Sequence, residues 1–284
     1  MTDLLDGLVV PLVTPMRTPG VPNATAGAPL LAWLAAAGAT KLMLLGSNGE
    51  GPLIPAGRTG DFIAGVVARW RDLVPGGVIL ANVTAPGTDE LLLRAAAAAS
   101  AGADALVASP PTYFRHGDDE IVAHYAALDR FGLPVVAYNA PRYAAPITPA
   151  LAAAPAGLPH VVGMKDSSGD IQPLLGNGLP VSQGDERAMA SGLRAGAVGI
   201  TPGIANLAPR LCLGLLADHS LQDRATALTR LHQVRPGVPA VKALLAARGL
   251  CPPHCAPPLA PCTPSEVAVL LGVAGPYLDP PPGG

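Results

Sequence analysis

Lysine is the scarcest charged residue apart from none: the chain holds only Lys41, Lys165 and Lys242, and the rest of its 18 basic residues are arginines. Charge of either sign is thin, at 13% of 284 residues. The formal net charge of −2 leaves no basic footprint for nucleic acid. No apolar run approaches the roughly 20 residues needed to span a bilayer without Gly, Pro or a charge interrupting it. The start, Met1 to Asp6, is acidic and lacks the basic opening of a secretion signal. A cytoplasmic protein with no membrane partner is therefore expected. Cysteine is limited to four residues. Cys212 stands alone in an apolar stretch and is expected in the core. Cys251, Cys255 and Cys262 cluster with His254 in a proline-rich region, but their spacing fits no zinc pattern, and reduced thiols are expected there.

What the chain has in quantity is apolar material, 50% of its residues, punctuated by 33 Gly and 33 Pro. Short β-branched or leucine-rich runs alternate with alanine-rich helical stretches. The runs cover 7–15, 41–46, 77–84, 105–111, 134–141, 161–168, 179–185 and 197–203. Helices are expected over 28–37, 56–72, 88–101, 118–131, 147–154, 185–194 and 205–217. Strands that are apolar on both faces and separated by helices indicate a parallel sheet. Eight such units in succession predict an α/β fold, a (β/α)8 barrel over residues 1–217. An open doubly wound sheet would carry a glycine-rich turn after its first strand, where this chain reads Val13-Thr14-Pro15-Met16. Residues 218–284 follow as a C-terminal helical segment and proline-rich tail, expected to pack on the barrel as one unit. Helices are expected there over 220–235, 238–248 and 264–273.

In a barrel of this kind the chemistry gathers at the C-terminal strand ends. None of the six histidines falls at a predicted strand end, and acidic residues are sparse there. A convergent metal-binding set cannot be assembled, so neither a metal nor another cofactor is expected. What remains is Lys165, at the end of the sixth run, with hydroxyls from Ser47, Tyr113 and Tyr138. A lysine can lose its proton and attack a carbonyl, which arginine cannot do. Two readings of Lys165 stand open on this segment: an imine-forming nucleophile, or a structural lysine reaching solvent or paired with Asp166. Gly46-Ser47-Asn48-Gly49-Glu50-Gly51 likewise reads as a site for backbone N–H donors or only as a tight turn. The joint position of these residues at strand ends favours carbonyl chemistry through an imine.

The ordered set Thr14-Pro15, Gly46-Ser47-Asn48-Gly49-Glu50, Ser109-Pro110-Pro111-Thr112-Tyr113-Phe114, Tyr138-Asn139-x-Pro141, Gly163-Met164-Lys165-Asp166-Ser167, Gly184-Asp185, Gly199-Ile200 and Pro239-Ala240-Val241-Lys242 resembles the dihydrodipicolinate synthase / N-acetylneuraminate lyase family of class I, pyruvate-type aldolases. The resemblance runs from about Gly7 to about Leu259. It implies that Lys165 forms a Schiff base with a 2-oxo acid and that Tyr138 moves protons to and from the substrate. It implies that Ser47 links Tyr138 to Tyr113, which reaches in from a neighbouring subunit of a homotetramer built from tight dimers. The backbone of Ser47 and Asn48 would hold the 2-oxo acid carboxylate, Ile200 would line the imine, and Ser167, Gly184 and Arg142 would contact substrate. The chain departs from the synthases where Tyr143-Ala144-Ala145 replaces Arg-Thr-Gly, and Ser47-Asn48 replaces two threonines. In these motifs it is more similar to the 4-hydroxy-2-oxoglutarate aldolase branch. A dihydrodipicolinate synthase, a sugar-acid aldolase or dehydratase, and a non-catalytic 2-oxo acid sensor are the alternatives.

Overall fold

The structure is a computed structural model that describes residues 4–280. The first three residues of the acidic start and the last four of the proline-rich tail lie outside the described residues. Eight parallel strands close into a barrel. They are β1 (Gly7–Pro11), β2 (Lys41–Leu44), β3 (Val78–Asn82), β4 (Ala105–Ala108), β5 (Val135–Asn139), β6 (Val161–Asp166), β7 (Val181–Gln183) and β8 (Gly199–Ile200). Helices α1 (Ala28–Ala36), α2 (Gly60–Leu73), α3 (Thr88–Ser100), α4 (Asp118–Ala126), α5 (Pro149–Ala156), α6 (Met189–Ala195) and α7 (Pro209–Leu215) alternate with them. The chain continues into α8 (Gln222–Leu228), α9 (Leu231–Val234), α10 (Val238–Ala247) and α11 (Pro264–Ala274).

Alternation along each strand sorts the side chains into two layers. Val9, Met43, Leu80, Val107 and Val136 fill the inside of the barrel. Leu8, Val10, Leu42, Ile79, Leu106 and Met164 face out and pack under the helices. Register partners in a parallel pair share a face. The partnerships Tyr138↔Lys165, Lys165↔Ser182 and Ser182↔Gly199 therefore set all four residues toward the interior.

Local chemistry explains most boundaries. Asp89 and Glu90 in the first turn of α3 and Arg71 in the last turn of α2 complement the helix dipole. Thr148 caps α5 ahead of Pro149, its hydroxyl accepting from the Leu151 N–H at 3.2 Å. At α11, Thr263 and Glu266 form a reciprocal cap.

The structure also departs from the sequence expectations. The first run ends as a strand at Pro11, and a small antiparallel ribbon, Met16–Thr18 with Val21–Pro22, follows it. The expected helix over 205–217 is a 3-10 turn (Gly203–Asn206) and then α7, because Pro209 starts a new helix. The stretch 220–235 is divided between a 3-10 turn, α8 and α9. The last strand has only two residues, and Asn206 extends its seam with β1. The Asn206 side-chain amide donates to Pro11 O at 2.9 Å and accepts from the Val13 N–H at 3.0 Å.

His124 on α4 is buried, with Nδ1 2.9 Å from Thr88 Oγ1. Burial, reinforced by the nearby His116, lowers its pKa from 6.5 to about 4. The unfolded chain takes up this proton more readily than the folded one. Stability owed to the neutral ring is complete above pH 6.5 and is lost as pH falls toward 4. A His124→Gln variant should therefore lose less Tm than the wild type between about pH 7 and pH 5. Equal losses in the two proteins would remove His124 as a source of acid sensitivity.

Candidate active site at the C-terminal strand ends

β6 carries Lys165 to the upper interior of the barrel, and its register partner on β5, Tyr138, lies beside it. The amine stands 3.9 Å from the Tyr138 ring centroid and donates to Ser167 Oγ at 2.8 Å. Both residues are buried, at 4% and 7% exposure. The Tyr138 hydroxyl is 3.5 Å from Ser47 Oγ, which β2 and its following loop supply. Lys165, Tyr138, Ser47 and Ser167 are thus brought together from three strands.

Asp166 does not pair with the amine. It alternates to the outer face, where its carboxylate accepts from Asn139 Nδ2 at 2.5 Å and from Ser168 Oγ at 2.7 Å. Asn139 in turn accepts from the Ile147 N–H, which ties the strand 5 loop to the same knot. The structural alternative for Lys165, an ion pair with Asp166, is therefore absent. The other two lysines are engaged elsewhere: Lys41 donates to Asp6 O at 2.7 Å, and Lys242 is ion-paired with Glu50.

Opposing effects act on the Tyr138 phenol. Burial pushes its pKa up, but the Lys165 charge and hydrogen bonds from Ser47, Ser167 and Lys165 outweigh this and hold it below the usual tyrosine value. A phenol that ionises more easily, next to an amine, is equipped to take and return a proton.

Gly184 is required by this packing. A Cβ there would lie 2.8 Å from Lys165 Nζ and would collide with Ser167 Oγ. The Asp166 carbonyl oxygen, also 2.8 Å from that point, is backbone and cannot swing aside.

The loop after β2 is held rigidly. Leu45 and Glu50 take the left-handed backbone, at φ 58° and 56°. Gly46 O accepts from the N–H groups of both Gly49 and Gly51. Thr14 Oγ1 donates to Gly49 O at 2.5 Å, and Asn82 Nδ2 donates to Leu45 O at 3.0 Å. Buried Arg94 of α3 donates to Gly51 O at 3.0 Å and to Ile54 O at 2.8 Å. Among the described residues, no protein acceptor takes the N–H groups of Ser47 and Asn48. Adjacent free N–H groups of this kind suit a carboxylate. The Asn48 side chain lies against Gly203, where a Cβ would meet its Oδ1 at 2.7 Å.

Three residues that the resemblance assigns to the site stand away from Lys165 within this chain. Ile200 pairs with Gln183 and Leu8, so its side chain faces the outer layer, where it is fully buried. It cannot line an imine inside the barrel with its side chain. Tyr113 does not join the site within its own chain. It is 88% exposed at φ 79°, and it packs edge-on against Phe114 at 4.9 Å between ring centroids. Arg142 is exposed, and its charge is felt at Asp185 and His232.

Other residues were missed. Ser182 faces the interior beside Lys165, 2.7 Å from Thr201 Oγ1. Glu186 accepts from the Ile204 N–H at 2.7 Å, and burial raises its carboxyl pKa. His232 of α9 comes within 3.9 Å of Glu186 Oε2, so a histidine does reach the strand-end face, from outside the barrel repeat. Alternation counted back from Gly184 would have found Ser182; nothing local points to His232.

Cys251 and Cys255 are buried free thiols, and burial pushes their pKa values up to about 12 and about 11. No group of three or more His, Cys, Asp or Glu residues among the described residues is arranged to hold a metal ion. No helix among them is long and apolar enough to cross a membrane. A cavity of about 850 Å³ opens at the opposite end of the barrel, lined by Leu4, Leu5, Val136, Val162 and the Arg71–Asp104 pair. Its described lining residues include no lysine, cysteine, serine or threonine, and it lies at the end of the barrel that serves stability.

The coupling of Lys165 to Tyr138 can be read by titrating phenolate absorbance. The lowest-titrating tyrosine should vanish in Tyr138→Phe and move upward in Lys165→Met, because the charge that favours phenolate is gone. A titration unchanged in Lys165→Met would refute the coupling.

Comparison with known proteins agrees with this geometry. Residues 4–270 match the Dihydrodipicolinate synthetase family. The 4-hydroxy-tetrahydrodipicolinate synthase of Ruegeria pomeroyi is 33% identical over 273 residues, covering 90% of this chain and 93% of that protein. The dihydrodipicolinate synthase structure from Bacteroides thetaiotaomicron superposes with a TM-score of 0.88 at 26% identity, covering 97% of this chain and 100% of that one. YagE, a prophage protein from E. coli K12 solved in complex with pyruvate, superposes at 0.89 with 21% identity, covering 96% and 99% of the two chains. The chain belongs to the dihydrodipicolinate synthetase family and is an enzyme of its Schiff-base lyase type.

Proposed function

We propose that the protein is a 2-oxo acid aldolase that makes or breaks a carbon–carbon bond next to pyruvate or glyoxylate, with 4-hydroxy-2-oxoglutarate or a close relative as substrate. The observation that carries the reading is the buried Lys165 amine, 3.9 Å from the Tyr138 ring centroid, with no carboxylate partner among the described residues. In this reading the neutral amine attacks the C2 carbonyl and water leaves as the iminium forms. During cleavage the Tyr138 phenolate takes the proton of the 4-hydroxyl, the C3–C4 bond breaks, and its electron pair enters the iminium to give an enamine. The aldehyde departs. Protonation at C3 and hydrolysis of the imine then release the 2-oxo acid. Ser47 Oγ holds the Tyr138 hydroxyl, and the N–H groups of Ser47 and Asn48 receive the carboxylate. Ser167 steadies the amine before attack, Gly184 leaves it room, and Ile200 contributes backbone only.

In the same reading Tyr113 completes the proton path from a partner subunit. Its exposure and its left-handed backbone support a role outside its own chain. A homotetramer assembled from tight dimers, acting in the cytoplasm, goes with this assignment.

The substrate preference rests on Tyr143-Ala144-Ala145, which lacks the arginine of the synthase pattern. A charged hydrogen bond of that kind is worth about 1.5–3 kcal/mol, or roughly 10- to 150-fold in specificity. The Ruegeria pomeroyi relative's name favours the synthase reading instead, with Arg142 supplying the missing charge from one residue away. Cleavage of 4-hydroxy-2-oxoglutarate should exceed condensation of pyruvate with aspartate semialdehyde when kcat/KM is measured for both on one preparation. A faster condensation would make the protein a synthase with a relocated arginine.

Tyr138→Phe should keep imine formation but lower turnover by about 10²–10⁴, the usual worth of a positioned acid or base. Turnover near the wild-type value would assign the proton transfer to another group.

A further inference from the structure

The ion pair between Glu50 and Lys242 is fully buried and lies directly behind the loop that carries Ser47 and Asn48. Glu50 sits within that loop, in left-handed backbone. One carboxylate oxygen meets the Lys242 ammonium. The other accepts from the Ala256 N–H at 2.6 Å. Lys242 also donates to His254 O at 2.7 Å. Three distant segments therefore meet at one carboxylate: the loop after β2, helix α10, and the stretch around residues 254–256. The last of these is fastened in turn to the loop after β1, since Cys255 O accepts from the Gly20 N–H at 3.2 Å and Gly20 O accepts from Arg58 Nη1 at 2.9 Å.

Removing two charges from water costs several kcal/mol per ion before their attraction repays it. Buried apolar residues of similar volume would stabilise the fold as well or better. The pair is therefore poorly explained as a source of stability. What it supplies is direction. An apolar contact would let the loop slide, whereas a carboxylate with two fixed partners sets both its height and its rotation. Ser47 and Asn48 are three and two residues upstream of Glu50, and among the described residues their N–H groups have no protein acceptor. The pair thus fixes the part of the loop whose free donors point to an anion.

We propose that Glu50 and Lys242 are positioning residues for the 2-oxo acid carboxylate, so that the C-terminal segment sets substrate affinity from behind the pocket. This rests on the Schiff-base reading given above. It deepens that reading by assigning a determinant of 2-oxo acid binding to residues that touch neither substrate nor the reacting amine.

A carboxylate keeps its charge through imine formation, so a misplaced carboxylate pocket weakens ground state and transition state alike. That raises the half-saturating concentration without lowering the maximal rate. The test is a pyruvate titration of borohydride trapping, with Tm measured in parallel, for wild type, Glu50→Gln, Lys242→Met and the double variant. Each folded variant should need roughly tenfold more pyruvate for half-maximal trapping, with a maximal rate within about threefold of wild type. The double variant buries no unpaired charge, and its Tm should recover toward wild type. Its half-saturation should remain raised, because the two-partner tie is still missing. If either single variant fails to fold, the double variant decides. A double variant with wild-type half-saturation, or any folded variant that loses maximal rate alone, would overturn the proposal and leave the pair structural. A wild type that traps no pyruvate would instead sink the Schiff-base reading, and this inference with it.

Discussion

A primary amine buried against a phenol is the constraint that organises the upper half of this barrel. Lys165 is costly to keep there. Among the described residues it has no carboxylate partner, its solvent contact is nearly gone, and it lies against the Tyr138 ring and the Ser167 hydroxyl. Other features follow from accommodating it. Gly184 cannot carry a Cβ because Ser167 Oγ, the Asp166 carbonyl and the amine fill that space. Asp166, next in sequence, is turned outward and saturated by Asn139 and Ser168, so it cannot neutralise the amine. The same amine favours the ionised form of Tyr138, so the charge of one group acts on the other within one packing contact.

The barrel makes this arrangement through parity. Side chains alternate in and out along each strand, and neighbouring strands share a face at register partners. Tyr138, Lys165 and Ser182 line the interior because hydrogen-bond register aligns them. Ile200 is turned away by the same rule. The irregularity at Val135 and Val136 matters here, since it shifts the β5–β6 register just below the Tyr138–Lys165 pair.

The eight-strand rhythm was legible in the sequence because each strand is a short continuous apolar run, and because Gly and Pro mark the turns. Lys165, Tyr138 and Ser47 were legible as a group because they end the sixth, fifth and second runs in a chain with almost no other candidates. Facing was harder to read. Alternation within a strand is visible in sequence, but the offset between strands is set by hydrogen bonds, so the outward facing of the Ile200 side chain could not be read. Strand ends were overextended where β7 and β8 shrink to three and two residues. Contacts that close late were invisible. Glu50 and Lys242 are 192 residues apart, and His232 reaches the strand ends from a helix outside the repeat. Tyr113 is expected to act from a neighbouring subunit, and within its own chain it is exposed and packs only against Phe114.

With only three lysines in the chain, identifying the one that forms an imine is unusually clean. Lys41 is bonded to a backbone carbonyl at the opposite end of β2, and Lys242 is locked in a buried ion pair. The most direct measurement is peptide mass mapping after borohydride reduction in the presence of pyruvate. A reduced pyruvyl adduct confined to the peptide containing Lys165, and absent from a folded Lys165→Met variant, is the predicted result. An adduct on Lys41 or Lys242, or one that persists without Lys165, would contradict the account.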